Sequence, residues 1–307
     1  MIEEKLSKLI VILGPTASGK TDLAIELCKK FGGEVVNADS RQIYKEMDVV
    51  TGKPNFIKKG SHFYYGGIRH HLFDIAKPNK VISLTAWRKR ALRTIRQIIK
   101  QGKIPFLVGG TGLYIQCIVE NLTIPPVAPN PKLRESFEGL STDELLSLLR
   151  RFDPVSADKL DPRNKRRIIR ALEVSIWTGR PFSRQQKKGK LLFDILEIGM
   201  DVPREKLYKN IDLRVDKWMK NGKLVSETRE LLKKYPLECP AMSGIGYAEA
   251  AAYLLGNMEK DEMSERVKFR THDYARRQLT WFRRDEKINW IRTSLQAERL
   301  VKKFIEK

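Results

Sequence analysis

The first third of the chain alternates unbroken apolar runs with segments whose apolar residues recur every three or four positions. KLIVIL (residues 8–13) has the length of one buried strand, and DLAIELCKKF (22–31) has helical spacing. After the breaker pair Gly32-Gly33, EVVNADS reads as a short strand ending at Asp39 and Ser40. Leu84, Trp87, Ala91, Ile95 and Ile98 then mark one face of a helix, with Ser83 as its cap and Gly102 as its stop. Ile104 to Val108 forms another apolar run that enters the turn GGTG. Buried strands alternating with helices predict a three-layer α/β core with a mainly parallel sheet, of the P-loop NTPase-like kind.

The pattern changes after Asn121. TIPPVAPNPKL is proline-rich and reads as a connection. STDELLSLLRRF opens with a capping box, Ser141 to Glu144, and DPRNKRRIIRALEVSIWTG supplies a second helix. LLFDILEIGM (191–200) is the next strong strand and can rejoin the sheet. The expected organisation is a catalytic core from 1–121 and 191–307 around a helical insertion at 122–190. The last third is helical, with breaks at Gly222, Pro236 and Gly256.

GPTASGKT, from Gly14 to Thr21, fills the junction between the first strand and the first helix. Gly14, Gly19, Lys20 and Thr21 complete the phosphate-binding loop pattern in its required context. Gly14, Pro15, Thr16, Ala17, Ser18 and Gly19 would form the binding loop, its glycines letting successive amide groups turn toward a di- or triphosphate. Lys20 would reach its outer oxygens, and the Thr21 hydroxyl would bind Mg²⁺. The loop says that a phosphorylated ligand is held, not what is done to it. Asp39 stands at the carboxyl end of a strand, where ligands of parallel sheets gather; capping the next segment is its structural alternative. Ser40, Arg41 and Gln42 suit contacts with a nucleic acid, and Thr111 in GGTG would lie in the same crevice.

Charge narrows the partner. The 307 residues carry a formal charge of +22, which points to a polyanion, nucleic acid ahead of an anionic membrane. Residues 163–190 hold ten lysines and arginines against one acid, Glu173. Arg163, Arg166, Arg167 and Arg170 have the spacing of one helix face, while Ile168, Leu172 and Ile169 have that of the inward side. In the segment 270–287, Tyr274 and Trp281 are seven apart and read as core packing with Val267, leaving Arg277 as the functional candidate. His70 and His71 adjoin Asp74 but complete no ligand set, so no zinc is assigned; His71 reads as packing or hydrogen bonding near the crevice. Cys28, Cys117 and Cys239 form no paired spacing and read as reduced thiols of a cytoplasmic protein. MIEEKLSK is no secretion signal, and no apolar stretch has membrane-spanning length.

GPTASGKT, NADSRQIY, HHLFD, LVGGTGLY, RALEV, GIGY and RRQLTWFR together resemble the bacterial tRNA dimethylallyltransferase (tRNA isopentenylpyrophosphate transferase) family, in order and approximate spacing. The resemblance implies that the loop holds dimethylallyl diphosphate and that ATP is not consumed. It implies transfer of the five-carbon group to N6 of the adenosine just 3′ of the anticodon, in tRNAs reading codons that start with U. By the same resemblance Asp39 takes the proton of the adenine amino group, and Thr111 lies beside the reaction channel. Lys20 is catalytic and Arg277 a diphosphate contact. Asp39, Ser40, Arg41, Gln42, Thr111 and Arg134 contact tRNA, and Arg166, Arg167, Ile168, Ile169 and Arg170 match a segment that binds the anticodon stem. Mg²⁺ is the expected cofactor, and the protein is expected to be a monomer without obligate protein partner or membrane attachment. The chain departs from the family pattern at Val50 and Gly52 and at His272 and Asp273. A small-molecule kinase, an enzyme prenylating free adenine nucleotides, and a non-catalytic RNA-binding P-loop protein are the competing readings.

Overall fold

The computed structural model describes residues 6–185 and 187–307. Residues 1–5, on which part of the reading of the amino terminus rests, and Gln186 lie outside them. The chain folds as two compact units, Met1–Ile118 with Leu192–Lys307, and Val119–Leu191.

In the first unit, β1 (Lys8–Leu13), α1 (Lys20–Phe31) and β2 (Gly33–Asn37) come first. Three short strands follow: β3 (Ile57–Lys59), β4 (His62–Tyr65) and β5 (Ile68–His71). Next are α2 (Leu84–Lys100), β6 (Ile104–Gly109) and α3 (Gly112–Val119). The described residues form an eight-stranded sheet in the order β3-β4-β5-β2-β6-β1-β7-β8, in which β7 is Asp194–Met200 and β8 is Asn289–Ile291. Only the β3-β4-β5 edge is antiparallel. β1 lies between β6 and β7, with Lys8 opposite Asp194 and Ile10 opposite both Phe106 and Leu196. A strand flanked on both sides needs apolar residues on both faces, and Leu9 to Leu13 are all fully buried.

One face of the sheet packs Ile10, Ile12, Val35, Phe106 and Ile198 against Leu23 and Leu27 of α1 and Val301 of α13 (Ser294–Glu306). The chain runs from β5 through α2 into β6, and α2 packs on β6 and β2. There Trp87 is fully buried and stacks on Tyr114 with ring centres 4.0 Å apart. Ser83 caps α2 by accepting the Ala86 amide at 3.1 Å. The remaining helices are α9 (Arg204–Lys220), α10 (Lys223–Leu232), α11 (Tyr247–Leu254) and α12 (Lys260–Phe282), whose Leu207, Ile211, Leu224, Ala250, Met263 and Val267 share one core.

The second unit contains α4 (Pro131–Ser136), α5 (Thr142–Phe152), α6 (Pro154–Lys159), α7 (Lys165–Thr178) and α8 (Phe182–Gln185). Ser141 and Glu144 form the reciprocal capping box at the head of α5. Leu145, Leu149, Ile168, Ala171 and Leu172 make this unit's own core. The buried Asp153 ties α6 to α8 through Ser156 and Ser183, at 2.6 and 2.7 Å.

Three features differ from the sequence pattern. β2 stops at Asn37, so Asp39 sits in the turn beyond it rather than on the strand. β3, β4, β5 and β8 are three or four residues long, too short to show a two-residue period. Arg163 lies ahead of α7 and pairs with Asp161 at 3.0 Å, so it does not share the helix face of Arg166, Arg167 and Arg170. No helix among the described residues is long and apolar enough to cross a membrane.

Candidate active site

The carboxyl ends of β1, β2 and β6 deliver three loops to one edge of the sheet, where open α/β sheets gather ligands. After β1, Gly19 takes a left-handed conformation, φ +85°, and serves as N-cap of α1 without any side-chain cap. The first amides of α1 are therefore left for an anion. Ala17 is also left-handed, φ +61°, a conformation that costs a non-glycine residue about 1 kcal/mol. Its carbonyl accepts Asn210 Nδ2 at 3.3 Å. Lys20 Nζ donates to Pro15 O at 2.5 Å. Burial pushes the Lys20 ammonium down to about 8; the Asp39 carboxylate opposes this and the Arg214 guanidinium adds to it.

After β2, Asp39 Oδ1 accepts the amides of Arg41 and Gln42 at 2.8 and 3.4 Å. The capping role is thus real, but no protein donor reaches Oδ2 among the described residues. Asn37 Oδ1 accepts the Asp39 amide at 3.0 Å and fixes the turn. Ser40 N donates to Thr111 Oγ1 at 3.0 Å, and Thr111 N donates to Ala38 O at 3.2 Å. Gln42 Nε2 holds the Thr51 carbonyl at 3.0 Å, and Arg41 reaches Pro240 O at 3.2 Å. Gln42 and Arg41 thereby position neighbouring loops from within the site.

Two cavities meet at this edge. The inner one, about 210 Å³, is bounded by the phosphate loop and Thr21. The outer one, about 520 Å³, is walled by Thr111, Leu113, Trp218, Tyr274, Arg277 and Trp281. Thr16, Asp39, Thr51, Gly110, Arg214 and Gln278 line both. A side chain at Gly112 would come within 2.3 Å of Trp281, so the glycine lets that indole close on the turn after β6.

Two of these residues are not singled out by the sequence pattern, although one of them, Gln278, lies within the RRQLTWFR stretch. Arg214 on α9 donates to Thr16 Oγ1 at 2.8 Å and lies over the Trp218 ring, 5.1 Å from its centre. Burial lowers its guanidinium to about 10, with Asp39 opposing. Gln278, buried on α12, accepts the Thr16 amide at 2.9 Å and donates to Gly110 O at 2.8 Å, clamping the first loop to the third.

Other expectations need correction. Tyr274 and Trp281 do share a helix face, but that face walls the outer cavity; the core positions of α12 are Met263, Val267, Ala275 and Phe282. Arg277 lines the outer cavity and not the inner one, and its guanidinium lies 3.8 Å from Asp273, which also holds Arg276 at 2.9 Å. Arg214 is the cation beside the phosphate loop. His272 stacks on Tyr208, ring centres 4.0 Å apart, 2.8 Å from Asp212. His71 binds Glu34 at 2.6 Å, and His70 sits among Phe56, Tyr65 and Phe73, where burial lowers its imidazole to about 4.

In the helical unit, Arg166 and Arg167 are exposed. Ile168 is fully buried in that unit's core, so its side chain cannot touch RNA; Ile169 packs partly against the same core. Arg134 grips the buried Glu173 through two bonds of 2.8 Å, and Arg170 adds a third at 2.9 Å. Burial alone would raise the Glu173 carboxyl, but Arg134, the Asn130 amide and Arg170 hold it at about 2. Arg134 and Arg170 are thus tied to an acid as well as available at the surface.

The comparisons with known proteins agree with this arrangement. The IPP transferase family matches residues 42–285, and the isopentenyl transferase family matches residues 7–61. The tRNA dimethylallyltransferase of Thermomicrobium roseum is 40% identical over 291 residues, 93% of this chain and 86% of its own. The full-length tRNA isopentenylpyrophosphate transferase of Bacillus halodurans superposes with a TM-score of 0.72 at 32% identity, covering 98% of this chain and 97% of that one. A eukaryotic dimethylallyltransferase seen acting on tRNA gives a TM-score of 0.75 at 31% identity, covering 90% of this chain and 70% of that one. With a phosphate loop, an acid at the mouth of its cavity and matches of this extent, the chain belongs to the IPP transferase family, among the tRNA dimethylallyltransferases.

Proposed function

We propose that the protein transfers the dimethylallyl group of dimethylallyl diphosphate to N6 of the adenosine immediately 3′ of the anticodon in tRNAs that read U-starting codons. The observation that carries this reading is the position of Asp39. It lines both the phosphate-loop cavity and the outer cavity, so a carboxylate stands where a diphosphate ester and a nucleobase would meet.

Allylic diphosphates break their C1–O bond readily because the cation is delocalised, and the enzyme must stabilise the departing diphosphate. The N–H groups of Ala17, Ser18 and Gly19, the Lys20 ammonium and the Arg214 guanidinium beside Thr16 would receive that charge. The adenine amino group is a weak nucleophile. Asp39 would orient it and take its proton as the C–N bond forms. Thr111 would hold the Ser40 turn so that Asp39 keeps its direction. Tyr274, Trp281 and Leu113 offer apolar and aromatic surface to a base lifted out of the anticodon-loop stack, and would keep water from the cation.

Mg²⁺ fits the donors present. The phosphate-loop cavity offers the Thr21 hydroxyl, with the carboxylates of Asp22 and Asp39 also in its lining, as suits an ion held by phosphate oxygens and one or two protein oxygens. Bound there, it would neutralise charge on the leaving diphosphate. Arg166, Arg167 and the exposed edges of Arg134 and Arg170 would contact the anticodon-stem backbone, positioning the RNA rather than choosing the base.

The test is intact-mass analysis of an unmodified anticodon stem-loop incubated with protein, Mg²⁺ and dimethylallyl diphosphate, without ATP. A gain of one dimethylallyl unit on that adenosine is expected. No gain on the hairpin or on full-length tRNA, with transfer to free adenine nucleotides instead, would replace the reading.

A further inference from the structure

The outward side of α2 plays no part in the chemistry above. This helix carries Arg88, Lys89, Arg90, Arg93, Arg96 and Lys100 and not one acid. Trp87, Ala91, Ile95 and Ile98 take the inward side. Lys89, Arg93, Arg96 and Lys100 recur at i, i+4, i+7 and i+11, so they form one stripe down the opposite side. All four are exposed, and with Gln97 they line a shallow groove of about 370 Å³.

The stripe is not balanced within the protein. Among the described residues, none of these four side chains forms an ion pair. Other surface helices do pair their cations: Arg266 with Glu262, Arg276 with Asp273, Arg150 with Asp158. Along α2, successive like charges three and four residues apart repel one another. Lys89 and Arg90 also stand near the amino end of the helix, where its dipole disfavours cations, and no acid occupies the first turn. Lys100, in the last turn, suits the dipole, but the repulsion along the rest of the stripe is unrelieved by any acid on α2, and an external polyanion would relieve it.

We infer that the α2 stripe is a second RNA-docking track, separate from the catalytic cavity, which engages the sugar-phosphate backbone of tRNA. The choice of RNA over other polyanions rests on the tRNA-directed function proposed above. α2 leads into β6, whose carboxyl end carries the catalytic turn. Its amino end therefore lies at the catalytic edge of the sheet, and the stripe runs away from that edge for roughly 16 Å, eleven residues at the helical rise. A row of cations of that length matches several consecutive phosphates and selects no base, so it would add affinity without sequence preference.

The test compares three forms of the full-length chain: wild type, K89Q/R93Q/R96Q/K100Q, and a control, K29Q/R299Q/K302Q/K303Q, that removes the same charge elsewhere. Fluorescence anisotropy with a labelled full-length tRNA transcript is read across a series of KCl concentrations. The α2 variant is expected to bind at least about tenfold more weakly at low salt. Its slope of log affinity against log salt should be smaller by about one for each phosphate that the stripe no longer neutralises. Its melting temperature should be unchanged or higher, since repulsion has been removed, and the control should bind nearly as wild type. Equal losses in the two variants would mean diffuse charge and overturn the inference, as would a wild-type slope in the α2 variant. So would unchanged tRNA binding with loss of co-sedimentation on phosphatidylglycerol vesicles. Dimethylallyl transfer to the stem-loop is measured in parallel. Its absence in wild type would fail the catalytic reading, while the salt slopes would still report on α2.

Discussion

The Ser40 amide donates to the Thr111 hydroxyl at 3.0 Å, joining the turn after β2 to the turn after β6. Asp39 is the residue before Ser40, so this bond fixes the carboxylate proposed to accept the amino proton from the other side of the cavity. Thr111→Val keeps the shape and removes the acceptor. It should lower kcat/KM by about tenfold or more, chiefly through kcat, with the fold intact. Thr111→Ser should recover most of the loss. Steady-state kinetics on the stem-loop, with circular dichroism as control, would reveal a merely structural threonine if Ser and Val behaved alike.

Asp39→Asn keeps both turn amides on its side-chain oxygen but cannot take a proton. Transfer should fall by about 10² or more, while diphosphate binding stays near wild type. Single-turnover kinetics beside calorimetry with inorganic diphosphate separates the two. A near-normal single-turnover rate would remove Asp39 from the chemistry.

Arg214→Gln deletes the cation that reaches the phosphate loop through Thr16. Diphosphate affinity should weaken by about tenfold or more, because charge-assisted bonds to phosphate are the strong ones. Arg277→Gln should leave diphosphate affinity nearly unchanged and act instead on RNA. If the two variants exchanged these effects, the assignment of the inner cavity would be wrong.

Lys20 is lowered to about 8 by burial, so the free protein loses this cation near pH 8 rather than near its ordinary 10.5. The protonated form is the one that binds an anion. Diphosphate affinity should hold below pH 8 and then decline, approaching tenfold per pH unit, with proton uptake on binding in that range. Calorimetry in buffers of different ionisation enthalpy measures that uptake. Affinity flat to pH 9.5 would show that Lys20 stays charged.

Glu173, held at about 2 between Arg134 and Arg170, is depressed from 4.5, so its stabilising effect is present above about pH 4.5 and lost as pH falls toward 2. Glu173→Ala leaves two partly exposed arginines without their acid and the Asn130 amide without its acceptor, and should destabilise the helical unit by about 1–2 kcal/mol. Faster hydrogen exchange in α7, with little change in β1 and β6, is the expected signature. Unchanged protection in α7 would mean that the triad contributes little.

The elements legible in the sequence were those long enough to show a period or an apolar run, or bounded by a capping or glycine signal: β1, α1, β2, α2, β6, α5, α7 and β7. The phosphate loop was legible because its amides, its lysine and its hydroxyl must be consecutive in the chain. Arg214 was not, because it meets the loop only through tertiary packing of α9 and sits in a helix already rich in polar residues; Gln278 lies within RRQLTWFR, but that stretch does not say that its amide clamps the phosphate loop. Tyr274 and Trp281 show why spacing alone misleads. A seven-residue interval says that two side chains share a face, but a cavity wall and a core give the same interval. Ile168 marks the opposite error, in which a contiguous motif took in a residue that the helix turns inward.

The pairing of Lys8 with Asp194 has a consequence for synthesis. β1 is made first, yet one of its two edges is closed only by β7, after the whole helical unit has been translated, and β8 joins β7 later still. The helical unit is one continuous stretch of chain and can complete its contacts as it emerges. The apolar edge of β1 must wait, for on the order of ten seconds at ordinary elongation rates. Nascent chains halted before Asp194 should therefore bind holdase chaperones through their first strand, and release them once residue 200 has cleared the ribosome.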